Sequence, residues 1–91
     1  MKRGERWFSR IAEDMDISIP ALPLVEIAGT GRVLIENHGG VTGYSPECIR
    51  IKVRYGQICV CGSCLEIARM TKDQLVICGR ILEVKLFGRE I

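Results

Sequence analysis

The chain has 91 residues, 26% of them charged and 47% hydrophobic, with a net charge of +2. This length closes one core and leaves no second domain for a second activity, and so slight a positive charge does not argue for nucleic acid or another polyanion. A domain this small buries only about 60% of its unfolded surface, so its stability margin is thin and self-association is the starting expectation.

The basic start, Met1-Lys2-Arg3-Gly4-Glu5-Arg6, leads into no apolar signal core, and no later run reaches the ~18 to 20 apolar residues that span a bilayer. A cytosolic chain without a transmembrane segment is expected. Over residues 5 to 16, Trp7, Phe8, Ile11, Ala12 and Met15 recur at helical spacing, which predicts a short amphipathic helix. Its apolar stripe either packs onto the domain or serves as a docking arm for a partner or membrane surface. In the second case Trp7, Phe8, Ile11 and Met15 are the partner-binding residues, with Arg3, Arg6 and Arg10 flanking them. Pro20 and Pro23 then forbid helix continuation and make an extended connector. The organisation that follows is a helical arm over 1–16 and one β domain over 17–91.

Leu24 to Ile27 can form a short strand, stopped by Gly29-Thr30-Gly31. From Arg32 onward the period is two, with runs at Arg32 to Glu36, Val41 to Tyr44, Cys48 to Tyr55, Gln57 to Cys61, Cys64 to Arg69, Gln74 to Cys78 and Ile81 to Phe87. Their separators are short and carry glycine or polar residues, so neighbouring strands run antiparallel; a parallel crossover needs a dozen residues or more. Ile49, Ile51, Val53 and Tyr55 alternate with Arg50, Lys52 and Arg54, which predicts one buried face and one solvated basic face. No aromatic residues interleave with that basic face, as a single-strand nucleic-acid platform would require.

An eight-residue pattern occurs twice. Val60-Cys61-Gly62-Ser63-Cys64-Leu65-Glu66-Ile67 matches Ile77-Cys78-Gly79-Arg80-Ile81-Leu82-Glu83-Val84, each copy reading as strand, glycine-marked bend and strand. Two copies are too few for a solenoid, which stacks at least three. The expected fold is mainly β: a small antiparallel meander of about six or seven strands forming a roll or barrel, preceded by the short helix. A short β-solenoid is the alternative.

Chemistry has few places to reside. Cys59, Cys61 and Cys64 form a C-x-C-x-x-C cluster whose thiolates can share a zinc or copper ion, with Cys78 as the repeat equivalent and spatial neighbour of Cys61. The plainer reading is that these are free thiols acting as small, half-buried apolar side chains. His38 is the one histidine, and a nucleophilic triad would need it beside a thiol or hydroxyl and an orienting carboxylate. It stands in Asn37-His38-Gly39-Gly40, residue types a turn prefers for backbone reasons. No catalytic residue, no cofactor and no enzymatic activity are expected.

Ile35-Glu36-Asn37-His38-Gly39-Gly40-Val41, followed by Ile49-Arg50-Ile51, Gly56-Gln57-Ile58-Cys59-Val60, Leu65-Glu66-Ile67 and Ile77-Cys78-Gly79-Arg80-Ile81, resembles the YabP/YqfC family of sporulation proteins, the YqfC branch being the nearer. The likeness runs from about Ile19 to Leu86 and rests most heavily on Ile35, Glu36, Asn37, His38 and Gly39. The sequence departs from the family's look at Cys61 and Cys78, which stand where the resemblance leads one to expect polar or charged residues. The resemblance implies a role in endospore formation in the mother-cell compartment, without enzymatic activity or cofactor. The expected function is that of an assembly or docking factor that self-associates or binds a membrane-anchored sporulation protein, peripheral to the membrane around the forespore. A structural zinc or thiol protein built on Cys59, Cys61 and Cys64 is the alternative.

Overall fold

A computed structural model describes residues 21–88. The helix expected over residues 5 to 16 lies outside them. The described chain forms β1 (Leu24–Ala28), β2 (Arg32–Glu36), β3 (Val41–Ser45), β4 (Cys48–Val53), β5 (Gly56–Met70) and β6 (Gln74–Gly88). Every pairing is antiparallel, in the spatial order β1-β2-β6-β5-β4-β3. A parallel stack of coils is therefore ruled out as the architecture.

Two pairs of predicted strands are each one long strand. Gln57 to Cys61 and Cys64 to Arg69 lie in β5, while Gln74 to Cys78 and Ile81 to Phe87 lie in β6. The glycines between them bend the ladder without ending it. A Cβ at Gly62 would land on the Arg80 carbonyl oxygen, and one at Gly79, whose φ is +137°, would come within 2.5 Å of the Cys64 carbonyl oxygen. The register shifts between Cys61 and Gly62 and between Ser63 and Glu66, so the extra residues are absorbed as bulges that sharpen the bend.

That bend explains why the meander is broken between β2 and β3. Strands β3 to β6 are successive neighbours, as expected, but β4 follows only the Gly56 to Cys61 half of β5. The half of β6 from Gln74 to Cys78, turned away from β4, takes β2 as its second neighbour, with Val33 opposite Ile77 and Ile35 opposite Leu75. The sheet remains open, with β1 and β3 at its edges, and it folds over on itself as a roll; no barrel closes among the described residues.

The two halves of the roll are built alike. In one, β1 and β2 make a hairpin that lies against β6, and its turn caps the bend: Gly79 N–H donates to Gly31 O at 3.3 Å and Ile81 N–H to Thr30 O at 2.7 Å. In the other, β3 and β4 make a hairpin against β5, and Gly62 N–H donates to Glu47 O at 3.0 Å and Leu65 N–H to Pro46 O at 2.9 Å. The duplicated Cys-Gly pattern marks the two places where a hairpin turn meets a bent strand.

Between the halves lies a single apolar core of Val33, Ile35, Ile49, Ile51, Val53, Ile58, Val60, Leu65, Leu75, Ile77 and Ile81. Each fully buried Ile or Leu stabilises the fold by about 1.5–3 kcal/mol. The alternation of β4 holds through Val53 and then stops. Arg54, expected on the solvated face with Arg50 and Lys52, is 7% exposed, and it lies past the end of β4 in the turn into β5, where the strand alternation no longer applies. Among the described residues no helix is long and apolar enough to cross a membrane.

Candidate functional site

Three cysteines converge on the outer face of the β3 to β6 half. With Ile49 and Ile51 pointing inward, Cys48 and Arg50 point outward. The two-residue turn Arg54-Tyr55, with Tyr55 at φ +69°, sets the register of β4 on β5 and places Cys48 opposite Cys61 and Arg50 opposite Cys59. The Sγ atoms of Cys48 and Cys59 are 2.8 Å apart, those of Cys48 and Cys61 3.5 Å, and those of Cys59 and Cys61 3.6 Å. All five cysteines are free thiols.

The three thiols differ in acidity. The hydrogen bond with Cys59 holds the Cys48 thiol below its ordinary value, aided by Cys61 and the Arg50 guanidinium and opposed by burial. Burial, with the neighbouring Cys48 and Cys61 sulfurs adding to it, pushes Cys59 up to about 12. Burial also raises Cys61. On β6, Lys85 stands opposite Cys59 and Glu83 opposite Cys61, and the two charged ends pair at 3.4 Å. The cluster thus has Arg50 beside it on β4 and the Lys85–Glu83 ion pair beside it on β6.

This grouping differs from the one expected at Cys59, Cys61 and Cys64. Cys64 lies past the Gly62 bend at φ +55° and is exposed. Cys78 is not the neighbour of Cys61: it pairs with Arg32 and Glu66 in the other half. Sequence reasoning missed Cys48, which is distant along the chain from Cys59 and Cys61. The usable signal was present, since a two-residue turn after Val53 fixes the register and brings Cys48 opposite Cys61.

The Ile35 to Gly39 motif is a splice between the halves. Ile35 is fully buried in the core, and Glu36 accepts a hydrogen bond from Gln74 Nε2 at 3.4 Å. Asn37 adopts a left-handed conformation, φ +63°, which Asn tolerates better than most residues. Its backbone N–H donates to Asp73 O at 2.7 Å and its side-chain Nδ2 to Leu22 O at 3.0 Å. His38 is 7% exposed; its Nε2 donates to Thr71 O at 2.8 Å and its Nδ1 accepts from Gly40 N–H at 3.1 Å. Gly39 N–H then donates to Lys52 O at 2.6 Å, and Lys52 N–H to Gly40 O at 2.8 Å. Four residues therefore carry the chain from the β5–β6 turn of one half to the last residues of β4 in the other.

Beyond the bends, β5 and β6 have one neighbour each among the described residues: β4 stops opposite Cys61, and β2 stops opposite Cys78. The free rim of β6 displays Leu82, 69% exposed, Leu86, 71% exposed, and Phe87. An open groove of about 340 Å³ lies beside its end, lined by Pro23, Val25, Arg54, Ile58, Leu86 and Phe87 among others. The partner-binding residues expected at Trp7, Phe8, Ile11 and Met15 lie outside the described residues.

The sequence model of the YabP family matches residues 23–90. No curated protein matches the chain significantly, and no solved structure does.

Proposed function

The chain belongs to the YabP family, which makes it a sporulation-associated protein, and from that premise we propose a non-enzymatic assembly or docking factor of the mother cell. Within the family we read it as nearer the YqfC branch, on the run Ile35-Glu36-Asn37-His38. It works by self-association or by holding a membrane-anchored partner. The observation that carries this reading is the rim of β6 beyond the bend, which no strand among the described residues pairs with. A strand edge of this kind is a template for another chain, and Leu82, Leu86 and Phe87 give that rim an apolar character that a solvated edge avoids. His38 supports the non-enzymatic part, because both ring nitrogens are committed to backbone partners and none is left to move a proton for a substrate.

Sedimentation of the full chain tests the reading, together with localisation of a tagged copy in sporulating cells. The wild type is expected to sediment as more than a monomer, and Leu86→Glu combined with Phe87→Glu to sediment as a folded monomer and lose its localisation. Deletion of residues 1 to 16 examines the arm separately. A monomeric wild type, with a rim variant that localises as the wild type does, would overturn the proposal.

A further inference from the structure

We propose that Cys48, Cys59 and Cys61 form a site for one thiophilic d10 metal ion, zinc(II) or copper(I), on the outer face of the β3 to β6 half. Soft thiolates select these ions over the oxygen-loving divalent cations. Among the described residues these three side chains make up the one group of potential ligands whose donor atoms all lie within 4.8 Å of one another.

With metal–sulfur bonds of about 2.3 Å, the sulfurs of a tetrahedral site stand about 3.8 Å apart. Two of the three separations, 3.5 and 3.6 Å, are already close to that spacing. The third, 2.8 Å between Cys48 and Cys59, must open by about 1 Å, within reach of a side-chain rotation. The ligands ride on two paired strands, so the sheet fixes their spacing better than a loop would. Each thiol yields one proton to solvent as the ion enters, and no electron is transferred. Three thiolates around a divalent ion carry one net negative charge, which Arg50 opposite Cys59 offsets, while Lys85 on the far side of Cys59 is already paired with Glu83. The position facing outward stays available to a water or an outside ligand for zinc, whereas copper(I) needs only the three sulfurs.

A disulfide between Cys48 and Cys59 is the competing use of the same atoms. It would require an oxidant and would leave Cys61 without a role, though Cys61 is as close to both sulfurs as they would be in a metal site.

The test takes the full chain, reduced with a phosphine, and titrates it with cobalt(II) and cadmium(II), reading the sulfur-to-metal charge-transfer absorption. Native mass spectrometry with zinc(II) and, separately, with copper(I) gives the stoichiometry, and competition with chelators for each ion gives the preference. One ion per chain is expected, of either kind. Cys48→Ser and Cys61→Ser should each weaken binding by at least about 100-fold, the upper end of what loss of an outer-shell partner alone costs. The double variant Cys64→Ser with Cys78→Ser should bind as the wild type does. Both single variants alter partly exposed side chains, and circular dichroism checks that they fold. Absence of a stoichiometric ion, binding that survives Cys48→Ser and Cys61→Ser, or loss of binding in the Cys64 and Cys78 variant overturns the proposal. So does a protein whose Cys48 and Cys59 are recovered as a disulfide under the reducing conditions.

Discussion

His38 Nε2 donates a hydrogen bond of 2.8 Å to the carbonyl oxygen of Thr71, tying the β2–β3 link to the β5–β6 turn. The tautomer follows: the proton is on Nε2 and the lone pair of Nδ1 receives Gly40 N–H. His38→Ala removes both bonds and empties a buried side-chain position, so it is expected to destabilise the fold by about 1–3 kcal/mol. His38→Gln, which keeps a donor, should lose less. Urea unfolding of the purified chain measures both, and a His38→Ala protein as stable as the wild type would refute the splice role.

Asn37 contributes separately through its left-handed backbone and its bond to Leu22. Asn37→Gly keeps the conformation and drops the bond, for an expected loss of about 1 kcal/mol. Asn37→Val drops the bond and adds a strained φ, which costs about 1–2 kcal/mol more. The ordering of the two melting temperatures decides the point.

The glycines of the bends differ from those of ordinary turns. Gly62→Ala and Gly79→Ala force a Cβ against a backbone carbonyl on the crossing strand and are expected to cost more than about 3 kcal/mol each, or to prevent folding. Gly29, at φ +58° with open space around it, provides the contrast: Gly29→Ala should cost about 1–2 kcal/mol, the left-handed penalty alone. Equal losses at the three positions would contradict the crossing geometry.

Alkylation rates should separate the thiols of the cluster. Only the thiolate reacts, and its fraction rises with pH, so a lowered value at Cys48 moves its rate profile to lower pH than that of a free cysteine, about 8.5. In a chain with Cys64→Ser and Cys78→Ser, iodoacetamide is expected to modify Cys48 first, with Cys59 last because burial holds its proton on. Cys59→Ala removes the largest cause of the lowering and should shift the Cys48 profile up most; Arg50→Gln should shift it less. Peptide mapping across a pH series reads both effects.

Much of this fold was legible in the residues. Alternation in Cys48 to Val53 gave the inside of β4, and the short polar separators gave antiparallel neighbours. The repeat around Gly62 and Gly79 was visible, but its meaning was not: glycine reads as a break in a linear sequence, whereas here it lets two strands cross at a distance no Cβ permits. The short separator likewise reads as putting β2 beside β3, since nothing local announces that Val33 and Ile35 pair with Ile77 and Leu75 in a strand formed far later in the chain. Arg54 misled because one residue of turn looks like one more beat of a strand. The cysteine grouping failed by proximity in sequence, which favoured Cys64 over Cys48 although the register through Arg54-Tyr55 favours the reverse.

The pairing of β2 with β6 also dictates an order of assembly. Strands β3 to β6 are joined through adjacent hairpins and close short loops, while the β1–β2 hairpin must wait for a strand that begins at Gln74. Loop closure of that kind slows folding, so on emergence from the ribosome the first hairpin remains unattached until the first half of β6 has been made. Its aliphatic face is then open to the matching strand of a neighbouring chain, and the four residues Asn37 to Gly40 are the hinge about which such an exchange would turn.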